Sequence, residues 1–511
     1  MNAKAISTVV AASWSVAACL VAQPLRAASQ PEEGARLTLP GSPLGIAWGF
    51  LYGNMGVPAE RFMPQLRELG GGFTKVYLTW NQIEPRQGTF DWSAVDAFAG
   101  QLKSPEEGLI ALFSSSQWAV KRPAALLPPS PARNPDDYYR FVKALVGHCK
   151  GRVRYWQNDC EPNNPIYWSG TREEFVAQLK VFYRAVKDAD PSAVVVAGGY
   201  DGLFGPPGTH PFPNQQAGLD FFDYVLNAGR DAFDLFDLRL YGDCYTIAER
   251  VEFMRQKMIA LGYRKPIICT EYGGPSFFQF AENRKYFSLL SSWMQSVVQT
   301  GAHGSPSPDN AGGQQIAGLY SRMSSLAPET QMFMLGCAPD LEAKYDRIQA
   351  RELVMRNLFA FAAGVQKTLY WQLLDLRTNR DSMMTLMYGK IGLLGYENGA
   401  LQKRYPTAAA FQRMAGALAG VQAVKRISVT GKPSVFLFQV DRGARGPLFV
   451  VWQRRDEFTG EDSPAVPFDW AWTAGSARAM DALGQEVPVR VAGGRVRLAI
   501  TLTPVFLEPA R

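Results

Sequence analysis

Eight times along this chain a short apolar run gives way to a stretch with helical spacing, and that rhythm constrains the fold more than any overall composition does. The apolar runs are Leu44–Phe50, Phe73–Trp80, Gly108–Ser115, Val153 to Glu161, Ala193–Gly199, Leu235–Tyr241, Pro266–Glu271 and Lys367–Leu374. Helical spacing follows in segments such as Val57–Leu69, Pro135–Cys149, Arg172–Asp188, Ala248–Leu261 and Leu341–Ala363. No tandem repeat and no glycine-rich phosphate fingerprint follows the first run. The pattern therefore predicts an α/β fold, a (β/α)8 TIM barrel rather than a doubly wound sheet. In such a barrel the side chains that close the strands share one open rim.

Two of the closing residues are glutamates. Glu161 ends an aromatic strand at E-P-N-N-P, where Pro162 has no N–H to continue the ladder. Glu271 ends the β-branched strand of K-P-I-I-C-T-E-Y-G-G and is followed by a Gly-Gly turn. Taken alone, Glu161 also reads as a solvated turn residue. Together they meet the needs of glycosidic-bond chemistry, in which one carboxyl protonates the leaving oxygen while the other attacks or activates water.

The chain of 511 residues is 47% hydrophobic, enough core for a barrel of about residues 29–424 and a smaller unit over 425–511. The smaller unit is a run of short alternating strands with Gly493-Gly494 at a hairpin turn, and predicts an antiparallel β-sandwich, joined by Arg36–Leu39. The long segment Pro275–Asp340 interrupts the alternation, and reads as a wall or lid of the rim, or as a dispensable loop. The net charge of +7 comes without a Lys/Arg run, so nucleic acid is not an expected partner, whereas an anionic polysaccharide or envelope surface is compatible.

Residues 1–28 read as a signal peptide, with Lys4 before an apolar run too short for a good membrane anchor, which predicts a secreted or periplasmic protein. The alternative is a lipid anchor on Cys19, because Val16–Cys19 resembles a lipobox. No later stretch suits a transmembrane segment. Without Cys19 the cysteines number five, an odd count with no C-x-x-C pair, and only three histidines accompany them. Buried thiols are expected, with neither a disulfide framework nor a metal or other cofactor.

The Y-W-x-x-x-x-E-P-N stretch at Tyr155–Asn163 and T-E-Y-G-G at Thr270–Gly274 resemble the two glutamate motifs of clan A glycoside hydrolases, among them β-xylosidases, endoglucanases and α-L-iduronidase. The T-W-N-x-I-E-P stretch from Thr79 and the closing T-P-V-F-L-E are similar to that clan as well. The resemblance implies a retaining enzyme for β-linked oligo- or polysaccharides, with Glu161 as acid/base and Glu271 as nucleophile. It also implies that Tyr241 orients Glu271 and that Trp371 forms a platform for the sugar. Trp80, Trp118, Asn158, Cys160, Asn163 and Arg239 complete the expected substrate-binding set.

Two positions depart from the clan's pattern. Cys160 stands where an Asn usually precedes the acid/base, and Arg239 where many relatives carry His. A thiol is a poor hydrogen-bond partner, so Asn158, Asp159 or Asn163 is expected to take over the lost contact. Arg239 suggests either an anionic sugar or, the favoured reading, a pairing with Asp237 or Asp243. These departures keep a second function class open, a carbohydrate-binding relative that has lost turnover.

Overall fold

The computed structural model describes residues 35–48, 59–199, 216–300, 311–375, 380, 382–397 and 400–510. The predicted leader and Cys19 lie outside them, as do the end of the first predicted run and the loop after the fifth. Eight parallel strands close into a barrel. They are β1 (Leu44–Ala47), β2 (Phe73–Thr79), β3 (Glu107–Phe113), β4 (Tyr155–Asn158), β5 (Val194–Gly198), β6 (Leu235–Asp237), β7 (Ile267–Tyr272) and β8 (Val365–Tyr370). The first and last strands close the ring, Leu44 facing Thr368 and Ile46 facing Tyr370.

Every residue of β2 is buried, because one set of alternating side chains fills the lumen while the other packs under the helices. Local signals set the helices between strands. Asn134 caps the helix Pro135–His148, with Pro135 in its first turn. Thr171 and Glu174 form a reciprocal capping box on Arg172–Ala189.

The segment after β7 folds into short helices, Phe287–Thr300, Ala311–Ser321 and Pro328–Gln331 among them, ahead of the long helix Pro339–Ala362. Its aromatic residues Phe277, Phe280, Trp293 and Phe333 form a core of their own with Tyr345, Met383 and Leu386. The described residues of this insert therefore form a packed body, while residues 301–310 lie outside them.

At the C-terminus, a six-stranded sheet runs in the order Ala35–Arg36, Ala423–Ile427, Val435–Asp441, Leu448–Gln453, Val505–Glu508, Arg478–Asp481. A three-stranded sheet of Val466–Ala471, Arg495–Ile500 and Val489–Ala492 covers one face, and Leu437, Val451, Phe468, Val496 and Leu507 fill the space between. Ala35 and Arg36 pair with Val424 and Ala423, so the N-terminal segment joins this sheet. The other face meets the barrel through aromatic rings, with Phe359 of the long helix edge-on to Phe436, Phe438 and Trp452. The Trp452 indole donates to the Tyr245 hydroxyl at 3.0 Å. No described helix is long and apolar enough to cross a membrane.

Candidate active site

The site is built from strand ends. β4 stops at Asn158, and the next three residues turn sharply, with Asp159 at φ 53° and Glu161 at φ 52°. Two left-handed residues within three positions are costly for side chains with a Cβ, on the order of 1–3 kcal/mol each, so the surrounding structure must hold them. Asp159 supplies the hold: its carboxylate accepts the Ser114 backbone N–H at 2.8 Å and the Ser114 hydroxyl at 3.1 Å. Burial pushes the Asp159 carboxyl up to about 7, against the pull of its Ser114 and Gln178 donors. The turn delivers Cys160 and Glu161 to the rim. Across from it, the pairing of β7 with β8 slips on both sides of Cys269, a bulge of the kind that re-aims a strand's last side chains. Glu271 sits in that stretch.

One oxygen of Glu161, one of Glu271 and the Cys160 sulfur all lie within 4.8 Å of one another. Glu161 keeps 14% of its side chain exposed and Glu271 only 7%. Oε1 of Glu271 is crowded with donors: Lys75 at 2.9 Å, Arg239 at 2.7 Å and the Tyr77 hydroxyl. Oε2 receives the Tyr241 hydroxyl at 3.4 Å. Burial alone would raise this carboxyl, but the Arg239 and Lys75 charges, with the Tyr77 hydrogen bond, outweigh it and hold Glu271 down at about 2. Glu271 is therefore an anion at any working pH. Glu161, within 4.8 Å of that anion, also has the Arg239 guanidinium beside it, Nε lying 3.8 Å from its Oε1.

A layer of buried polar groups lies beneath. Lys75 and Arg239 both donate to the Thr270 hydroxyl, at 2.9 and 3.1 Å. Thr270 in turn donates its N–H and hydroxyl to Asp237, at 2.7 and 2.6 Å, and Gln157 donates to Asp237 at 2.9 Å. The Cys160 sulfur lies 2.9 Å from an Arg239 nitrogen, and burial pushes its thiol up, so it packs as a neutral group. Cys160, Glu161 and Glu271 are three groups of metal-ligand type, and the Lys75 and Arg239 cations lie against them.

Several expectations about individual residues need correcting. Trp80 is wholly buried, stacked on Phe141 at 4.9 Å with its indole N–H on Glu84, and offers no face to a sugar. Thr79 caps the helical turn Trp80–Ile83, which swings Trp80 outward into the helix layer. Asn158 also points away from the lumen, accepting the Tyr138 hydroxyl and donating to Asp159, so it cannot stand in for the missing amide. Arg239 does reach Asp237, but at 3.9 Å; its tighter partner is Glu271, and no pairing with Asp243 is found among the described residues. Tyr241 lies with its hydroxyl 3.4 Å from Glu271 Oε2. Trp371 stands edge-on to Tyr388 at 5.3 Å, and Tyr388 lies beside Tyr241 at 5.8 Å, so the three line one side of the rim. Trp118 is half-buried against Trp80, with its indole N–H on the Glu84 carbonyl. Asn163 is half-buried in the turn after Glu161.

Lys75 and Tyr77 were missed by sequence reasoning. Their signal was the charged residue in F-T-K-V-Y-L-T-W, two positions from a tyrosine and therefore on the same face of the strand.

No protein-family model matches the chain, and no curated protein sequence does. Solved structures do. A family 39 glycoside hydrolase from the gut symbiont Bacteroides cellulosilyticus WH2 superposes with a TM-score of 0.61, at 14% identity, over 92% of this chain and 81% of its own. The chain has the fold of the clan A (β/α)8 glycoside hydrolases. A family 39 β-xylosidase from Caulobacter crescentus matches with a TM-score of 0.57 at 14% identity, over 94% of this chain and 98% of its own. A family 51 α-L-arabinofuranosidase from Bifidobacterium longum matches with a TM-score of 0.55 at 12% identity, over 94% and 97%.

Proposed function

We propose that this protein is a retaining glycoside hydrolase that cleaves β-linked bonds of an oligo- or polysaccharide at the bacterial envelope or outside the cell. The observation that carries this reading is the approach of Glu161 and Glu271 oxygens to within 4.8 Å at the ends of two different strands. Retaining enzymes set their carboxyls about 5–5.5 Å apart, whereas inverting enzymes leave about 6.5–9.5 Å for a water. Glu271, with Oε1 occupied by Lys75, Arg239, Tyr77 and, more weakly, the Cys160 thiol, attacks the anomeric carbon through Oε2. Glu161 gives its proton to the departing oxygen and then, as base, takes one from the water that releases the sugar.

Digestion of a panel of envelope and plant polysaccharides, followed at once by proton NMR of the products, tests this. Products that first appear with the β-configuration, and that vanish in Glu271→Ala, support it. Inverted products, or binding without cleavage in the native chain and Glu271→Ala alike, overturn it, the latter in favour of a carbohydrate-binding protein.

A further inference from the structure

Arg239 is 1% exposed, and its guanidinium is only partly used. One terminal nitrogen lies 2.7 Å from Glu271 Oε1 and donates to the Thr270 hydroxyl; the other faces the Cys160 sulfur at 2.9 Å and Asp237 at 3.9 Å. Its Nε–H is buried with no hydrogen-bond acceptor among the described residues, and lies 3.8 Å from Glu161 Oε1. A buried donor left unmet is destabilising, so one kept between two reacting carboxylates points to an acceptor that forms during the reaction.

Double displacement creates that acceptor. In the first step the Glu161 proton passes to the glycosidic oxygen as its bond to the anomeric carbon breaks, and a Glu271 oxygen bonds to that carbon. Glu271 is then a neutral ester and Glu161 an anion. In the second step Glu161 takes a proton from water, the water oxygen bonds to the anomeric carbon, and Glu271 leaves as carboxylate. One negative charge thus passes from Glu271 to Glu161 and back.

We propose that Arg239 is a positioning residue that follows this charge, as counter-ion of Glu271 in the resting protein and, through Nε–H, of Glu161 in the glycosyl-enzyme. The inference rests on the assignment of Glu161 and Glu271 above. The other groups around the guanidinium have fixed work: Lys75 and Tyr77 hold Oε1, Tyr241 faces Oε2, and Thr270 and Gln157 occupy Asp237. Arg239 reaches both carboxylates, and a small turn of the Glu161 side chain would bring 3.8 Å to hydrogen-bond distance.

The test needs no substrate, because Glu271→Gln imitates the uncharged ester. Titration of carboxyl-labelled glutamates by carbon-13 NMR, with Glu161 assigned by its loss in Glu161→Gln, is run in the native chain, Glu271→Gln, Arg239→Met and the double variant. Glu161 should ionise at lower pH in Glu271→Gln than in the native chain, and Arg239→Met should remove more than half of that fall. Arg239→Lys, which keeps the charge, should restore part of it and covers the case in which Arg239→Met does not fold. A crystal structure of Glu271→Gln should show Nε–H on Glu161. An equal fall with and without Arg239 would assign the effect to lost repulsion alone and overturn the proposal, as would a Glu161 carboxylate that stays beyond hydrogen-bond distance of Nε in that structure. Failure of the glycosidase reading would show separately, as intact coupling with no cleavage of any polysaccharide.

Discussion

Both ends of this barrel bury a lysine against a carboxylate, and the two clusters differ in one respect. At the floor, Lys367 donates to the Pro40 carbonyl at 2.6 Å, the Ser42 carbonyl at 3.0 Å and Glu107 at 2.6 Å. The Tyr155 hydroxyl fills the other Glu107 oxygen at 3.2 Å. The cation there has three oxygens for its three protons, so nothing is left to offer. At the mouth, two cations and two carboxylates lie together, one guanidinium N–H has no acceptor among the described residues, and Glu161 keeps a path to solvent. A saturated cluster of this kind is a plug, and an unsaturated one can do chemistry; charge and burial alone would not separate them.

Substitutions at the mouth and floor test the contrast. Glu271→Ala should lower kcat on the order of 10⁴-fold or more and prevent trapping of a glycosyl-enzyme by a 2-deoxy-2-fluoro glycoside, read by intact mass. Glu161→Ala should slow substrates with poor leaving groups by about 10²–10⁴-fold while sparing dinitrophenyl glycosides; equal loss on both would remove Glu161 from the acid role.

Lys367→Met removes the nearest cation of Glu107, leaving the Tyr155 hydroxyl and Arg154 at 3.9 Å, and should cost about 3 kcal/mol of stability in urea unfolding, with kcat of the folded fraction unchanged, whereas Lys75→Met should lower kcat as well. A floor variant that changed kcat would break the comparison. The acid side of the activity profile sharpens it. Glu271, depressed to about 2 from an unfolded value near 4.3, adds stability that is fully present above about pH 4.3 and lost as pH falls through about 2. Its ionisation should therefore place no acid limb above about pH 3 in kcat/KM. The smallest effect should be at Cys160→Ala, less than about tenfold in kcat, since the neutral thiol gives Glu271 only a long, weak hydrogen bond at 3.7 Å beside its contact with Arg239.

The barrel was legible in the sequence because a parallel sheet buried on both faces leaves near-continuous apolar runs, which helical spacing then interrupts. The two glutamates were legible because Pro162 and Gly273-Gly274 mark where their strands stop. The side on which neighbouring residues emerge was not. Trp80 and Asn158 lie at strand ends, where a one-residue difference sends a side chain to the helix layer instead of the rim, and the Thr79 cap and the left-handed turn at Asp159 decide it. Lys75 was hidden for a related reason: a lysine inside a strand reads as an edge residue until the ring closes and Glu271 arrives from nearly two hundred residues away.

The aromatic seam between Phe359 and the rings of Phe436, Phe438 and Trp452 bears on how this protein can be divided. Ending the polypeptide near residue 424 would turn that seam into a greasy patch on the outside of the barrel and strip Tyr245 of its indole partner. Engineers who want a minimal catalyst from this scaffold should therefore keep the tail, or repaint those ring-bearing positions with polar side chains before trimming it.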